Sequence, residues 1–276
     1  MRVTRLFLLV GLSLALAFDK GHAALTVVAE LGADFSGTSN PNAPSHGNGT
    51  WAFYWNQPDN WVPDYSTSTS PAPHTWDPSS AVLGDTTRYA LLASTGNAGT
   101  PWTPDGNTTG NDSNPDRFIR FQSYVAGSNS IGLHPGAQPG FDPDGVGPVP
   151  TNLVDRYAIA AFTVNSADFY HITDGILWTP NASSNGVDVW VHVNNSTPVL
   201  LGASSGGTNN ATEGLNFSYA LGELNAGDTI YVAFGTNGNP GSDGSRANFA
   251  VAVPEPAKGI FILLGLGLAL IRRSRK

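Results

Sequence analysis

Apolar and polar residues alternate in short runs through most of this chain, and residues that turn the backbone close each run. The clearest run is Val187-Asp188-Val189-Trp190-Val191-His192-Val193. Its period of two is that of a strand. It sets four valines on one side and Asp188, Trp190 and His192 on the other. A second run, 229–234, follows an Asn-Ala-Gly-Asp turn at 225–228. Runs at 158–164, 168–178, 215–221 and 247–253 complete a C-terminal set of predicted strands, and 25–29, 51–55, 88–93 and 118–125 form an N-terminal one. Gly, Pro, Asn, Ser and Thr are dense between them, and amphipathic helical spacing is missing from the chain between its two ends. The pattern predicts an all-β fold, an antiparallel β-sandwich of jelly-roll type. Its loops are long, at 36–50, 56–80, 94–116 and 134–152, and loops of that length tend to be functional or mobile. No internal repeat and no convincing linker interrupts residues 24–252, so one domain is expected, with a split near 145–150 as the alternative.

Both ends of the chain depart from this pattern. Arg2 and Arg5 precede an apolar stretch from Leu6 to Phe18, and Gly21-His22-Ala23 places small residues at −3 and −1 of a cut before Ala24. That is the build of a secretory signal helix, residues 1–23, with cleavage after Ala23 preferred over cleavage after Ala24. At the other end, 253–276, come Val253, Pro254, Glu255 and Pro256, then an apolar run from Gly259 to Ile271, then Arg272, Arg273, Arg275 and Lys276. The apolar run is about 13 residues, or roughly 20 Å as a helix. A hydrocarbon core is about 30 Å thick, so the run is short for a span. Its nine strong apolar residues nevertheless favour insertion by roughly 3–5 kcal/mol. Lys258 and the arginines can snorkel to the interfaces and lengthen the effective span. A single transmembrane helix is therefore expected over about 257–271, with the basic residues 272–276 on the cytoplasmic side.

The order of these three parts resembles the PEP-CTERM sorting signal of Gram-negative bacteria, carried here by Pro254, Glu255 and Pro256, the apolar run and the arginine cluster. Lys258, a charge at the mouth of the run, departs from the pattern. The resemblance implies recognition by an exosortase-type membrane protease. It also implies transient anchoring in the inner membrane, then release or transfer to the cell surface or the extracellular polysaccharide matrix. A plain C-terminal membrane anchor is the competing reading of the same residues.

Charge narrows the function classes. Residues 24–252 contain no lysine and five arginines (Arg88, Arg117, Arg120, Arg156 and Arg246) against 19 acidic residues, a net charge of −14. Such a surface repels phosphate backbones and excludes nucleic acid as a partner. The chain has no cysteine, so an exported body must hold together by packing without disulfides.

Aromatic residues on a sheet face or in a loop can stack on sugar rings. Among the seven tryptophans, Trp61, Trp76 and Trp102 fall in polar, proline-rich loops, and Asp188, Trp190 and His192 share one strand face as a candidate ligand-binding site. The bland reading is that the tryptophans pin loops over small satellite cores, and that the Asp188 face is the half-buried outside of a sandwich. The body resembles the carbohydrate-binding-type β-sandwiches of exported bacterial proteins. The matching pieces are Asp34-Phe35-Ser36 with Trp51 and Tyr54, His134-Pro135-Gly136, Arg156-Tyr157, 185–189 and Ala226-Gly227-Asp228. That resemblance speaks to fold and suggests a polysaccharide partner.

No motif calls for a cofactor. Asp142-Pro143-Asp144-Gly145 sets two carboxylates two residues apart before a glycine, spacing that suits Ca²⁺, and 111–116 is a second oxygen-rich loop. Ordinary Asx-turn chemistry is the preferred reading of both loops. No nucleophile elbow, zinc-protease or phosphate-loop motif occurs. The five body histidines lie far apart without ligand spacing and are expected at the surface or in loops. The chain is thus expected to be non-catalytic, with a specific carbohydrate-binding module as the first alternative and a secreted glycoside hydrolase as the second.

Overall fold

The computed structural model describes residues 24–35, 49–56, 83–94, 102–104, 119–122, 130–138, 154–238 and 243–255. Among these the chain runs β1 (Leu25–Glu30), one helical turn α1 (Leu31–Asp34), β2 (Gly49–Asn56), a 3-10 turn (Thr86–Arg88), β3 (Tyr89–Leu91), β4 (Ala93–Ser94), β5 (Trp102–Thr103) and β6 (Arg120–Gln122). It continues through β7 (Ile131–His134), β8 (Gly136–Gln138), β9 (Val154–Arg156), β10 (Ala158–Val164), β11 (Asp168–Trp178) and β12 (Asp188–Val193). The last four strands are β13 (Val199–Ala203), β14 (Leu215–Leu224), β15 (Thr229–Gly235) and β16 (Ser245–Pro254). The expected signal helix and transmembrane helix lie outside the described residues. Among the described residues no helix is long and apolar enough to cross a membrane.

The protein is all-β, with two antiparallel sheets. One runs β14-β11-β16-β7-β6-β5-β4, with β1 also paired to β16, and the other runs β13-β12-β15-β10-β2-β3; β8 and β9 form a separate ribbon. The chain divides into two units. One is Val27–Val253; the other joins Met1–Thr26 with Pro254–Lys276, of which residues 24–26, 254 and 255 are described.

The inner faces of the two sheets meet in an aromatic core. Trp51 on β2 packs on Phe249 of β16 at 5.7 Å between ring centres, and Phe53 on Phe121 of β6 at 4.8 Å. Trp102 joins them at 5.9 Å from Phe53 and is buried. The sequence pattern places it in a polar loop. The two-residue strand β5 carries it inward, and β8 likewise occupies part of a stretch expected to be loop.

Alternation explains most of the pairing. Val189 and Val191 face the core, with Val187 just ahead of β12 beside them, as their period of two requires. β10 behaves differently. Its apolar run Ala158–Val164 is buried on both faces, because it sits between β15 and β2 and carries a covered layer on its outside. At one side the chain changes sheets within six residues. Tyr89–Leu91 pairs with β2, Leu92 donates its N–H to Phe53 carbonyl at 2.9 Å, and Ala93–Ser94 pairs with β5 of the opposite sheet. Such a crossing removes a sheet edge there. Near the start of β12, Gly186 holds φ +100°, and a Cβ there would collide with the Ser204 carbonyl oxygen, so glycine is required.

Candidate functional site

Six strands bring a row of side chains together on the outside of the β13-β12-β15-β10-β2-β3 sheet. Register sets Trp190 opposite Leu200 and Ala233, Ala233 opposite Ile159, Ile159 opposite Tyr54, and Tyr54 opposite Leu91. The row is apolar or aromatic from end to end. Its centre, Ile159 and Ala233, is fully buried, whereas Leu200 and Leu91 at its two ends are 51% and 60% exposed. The next row pairs His192 with Tyr231, and Tyr231 with Ala161.

The predicted trio is therefore on one face, but its members differ in role. Asp188 is 8% exposed, and its Oδ2 accepts the Trp190 indole N–H at 2.9 Å. Gly235 opposite leaves room for that carboxylate, because a Cβ there would collide with Asp188 Oδ1. Trp190 is half-buried, with its indole orientation fixed by this bond. His192 is 2% exposed and stacks on Tyr231 at 4.8 Å and 9°. Its Nδ1 donates to the Asn194 carbonyl at 2.8 Å, so Nε2 accepts from the Tyr89 hydroxyl at 2.9 Å. That hydroxyl in turn accepts the Gly84 N–H at 2.9 Å. Both nitrogens of His192 are engaged, and the ring orders the face.

Three tyrosines not named among the candidate site residues complete the cluster. Tyr89 lies 5.3 Å from Tyr231 and 6.4 Å from Tyr54 between ring centres. Burial pushes the Tyr89 phenol well above its ordinary range. The Gly84 bond opposes this, and the neighbouring Tyr231 and Asp85 add to it. Burial likewise raises Tyr54 and Tyr231, and it lowers His192 against the opposing bond to Asn194. The shifts favour the uncharged forms of the three tyrosines and His192, which suits stacking and apolar contact. Its signal in the sequence was slight: Tyr54 and Tyr231 are outward positions of strands read correctly, but their meeting with Tyr89 depends on register.

Of the other candidates, Val253 and Pro254 close β16, and the Glu255 N–H donates to the Ala24 carbonyl at 2.7 Å. Pro256, Arg272, Arg273 and Arg275 lie outside the described residues, as do Asp142, Asp144, Trp61 and Trp76. Among the described residues no group of three or more His, Asp or Glu could hold a metal ion. Two histidines depart from the expected surface position: His134 and His192 are both buried.

No protein-family model and no curated protein sequence matches the chain. Among solved structures it is similar to a native family 35 carbohydrate binding module from Clostridium thermocellum, with 14% identity over 45% of this chain and 91% of that one and a TM-score of 0.23. A likeness that slight carries no weight for function.

Proposed function

We propose that this chain is an exported, non-catalytic protein of the cell surface or extracellular polysaccharide matrix of a Gram-negative bacterium. Residues 1–23 carry it across the inner membrane. The apolar helix near 257–271 holds it there until an exosortase-type protease acts at Pro254-Glu255-Pro256. One observation supports this reading above the rest: among the described residues the first strand begins at Leu25 and the last ends at Pro254, within two residues of the two expected processing points. Cuts at those points leave every described strand whole. Replacing Pro254, Glu255 and Pro256 together with alanine is the test. Leader removal is expected to continue while the variant keeps its full C-terminal mass; tail removal as in the natural protein would count against the proposal.

A second reading, carbohydrate binding, is favoured by Trp190. Its indole is locked by Asp188 and lies beside exposed Leu200, a platform of the kind on which a sugar ring stacks. Trp190→Ala is expected to weaken retention on the bound polysaccharide by about 10- to 100-fold, or roughly 1.4–2.8 kcal/mol. Its melting temperature should stay close to that of the natural protein. Unchanged mobility in polysaccharide affinity gels would remove this reading.

A further inference from the structure

The outer face of the other sheet, β14-β11-β16-β7-β6-β5-β4, gathers hydrogen-bond donors in an otherwise acidic body. Phe121, Leu133 and Ala247 point into the core, so their strand neighbours lie outside: Arg120 and Gln122 on β6, Gly132 and His134 on β7, and Arg246 on β16. Register sets Arg120 across from His134, and Gln122 across from Gly132, which in turn faces Arg246. A Cβ at Gly132 would meet the Gln122 Cγ at 2.7 Å and its Nε2 at 2.9 Å, so the missing side chain lets the Gln122 amide lie across β7. Toward β11, Arg246 stacks over the Trp178 ring at 5.9 Å.

Arg120 is poorly explained by the fold alone. Arg88 sits 3.9 Å from Asp85, and Arg156 donates to the Asn56 carbonyl at 3.2 Å. Arg120 has no such partner among the described residues, and its Nε is buried without a hydrogen bond. Burial lowers its pKa from the ordinary value, the direction for a guanidinium that loses water and gains no counter-charge. His134 supplies none, because burial first and the Arg120 charge second keep its ring neutral. Trp178 is 6% exposed, and its Nε1 is likewise buried without a partner. A buried charge left unpaired destabilises a fold.

The two unsatisfied groups, Arg120 Nε and Trp178 Nε1, are donors only, so the complementary group is an acceptor, and at Arg120 an anion. The guanidinium fork matches the two oxygens of a carboxylate. Net charge limits what can approach. Five arginines against 19 acidic residues give the body −14, so each further negative charge on a ligand is repelled. Screening confines that repulsion to about 8 Å. One carboxylate on Arg120 meets the cations first, with Arg246 two strands away at about 10 Å. A polyanion would run past them into the acidic remainder. We propose that the outer face around Arg120 is a binding site for a single carboxylate group, held by the guanidinium and the Gln122 amide, with Arg246 adding to the local positive potential. Trp190 lies on the opposite sheet, so this site is separate from the stacking platform and does not depend on it. An acidic sugar unit and a free organic acid share this chemistry.

Titration of the nitrogen-labelled mature protein, recovered from its producing cells, with acetate, glucuronate and glucose at constant ionic strength tests the site. The Arg120 Nε–H and Gln122 side-chain amide resonances should shift saturably with the two anions and not with glucose. Glucuronate binding at least about tenfold tighter than acetate assigns an acidic sugar, and a smaller difference assigns the carboxylate alone. Arg120→Gln, followed through the Gln122 amide, should bind at least about tenfold more weakly, while Arg88→Gln binds as the natural protein does. Without ligand, Arg120→Gln should melt no lower than the natural protein, because it removes a charge the fold leaves unpaired. No saturable shift with either anion, or equal binding by Arg120→Gln, overturns the proposal. So does a ligand-free Arg120→Gln that melts well below the natural protein, since the fold itself would then require the guanidinium.

Discussion

Trp51→Ala is expected to cost the body about 3–5 kcal/mol, the range for an aromatic residue deleted from a close-packed core. The indole is 2% exposed and lies between Phe162 at 5.0 Å and Phe249 at 5.7 Å, which belong to opposite sheets. It also donates its N–H to Asp34 Oδ2 at 3.0 Å, and the same oxygen accepts the Glu30 N–H at 2.9 Å. Removal therefore opens a cavity between the sheets and takes from Asp34 a donor that helps tie α1 to β2. For a domain of this size the melting temperature should fall by roughly 6–20 °C. Trp51→Phe keeps most of the volume but not the donor, and should cost less than half as much. Urea denaturation of the leaderless body measures both. A loss under about 1 kcal/mol for the alanine variant would contradict the described packing.

Acid is expected to destabilise the body through His134. Its ring is buried at the end of β7, across from Arg120 on β6. Burial first, and the Arg120 charge second, lower its pKa to about 4, opposed by the bond from its ring to the Pro135 carbonyl. An exposed histidine in the unfolded chain titrates near 6.5. Above about pH 6.5 both states are neutral at this site and stability is full. Between about 6.5 and 4 the unfolded chain takes up a proton that the folded body refuses, so stability falls as pH falls. The loss is complete below about 4 and amounts to about 3 kcal/mol at most. His192, lowered for a similar reason, adds in the same direction. His134→Gln removes the titration. Denaturation midpoints at pH 7, 5.5 and 4.5 should converge for the natural protein and this variant as pH falls; parallel pH curves would contradict the assignment.

What could be read beforehand followed the strength of the local pattern. The alternating valines of 187–193 announce their strand because backbone period alone determines which side each residue takes, whereas the mostly apolar run 158–164, short and closed by turn residues, fits a strand buried on both faces. The burial of Trp102 is not legible, because a strand of two residues between prolines and glycines has no period to detect. The burial of His192 was not legible either. Tyr89, which covers it, lies 103 residues away in the chain, and Asp188, Trp190 and His192 become unequal only once that partner arrives. Sharing a face is a local property of a strand, but exposure on that face depends on what the rest of the chain lays across it.

The proposed processing points are a different kind of signal. Ala23, Ala24 and the Pro254-Glu255-Pro256 group are legible as short motifs, but nothing in the motifs tells that Ala24 and Glu255 are joined by a hydrogen bond. That juxtaposition links the two proposed processing points through one contact.

The most direct measurement of that statement is fractionation of producing cells that carry either the natural chain or the version with alanine at Pro254, Glu255 and Pro256. The natural protein is expected outside the inner membrane without its tail, and the variant in the inner-membrane fraction with residues 257–276 still attached. The same distribution and the same mass for both proteins would contradict the account.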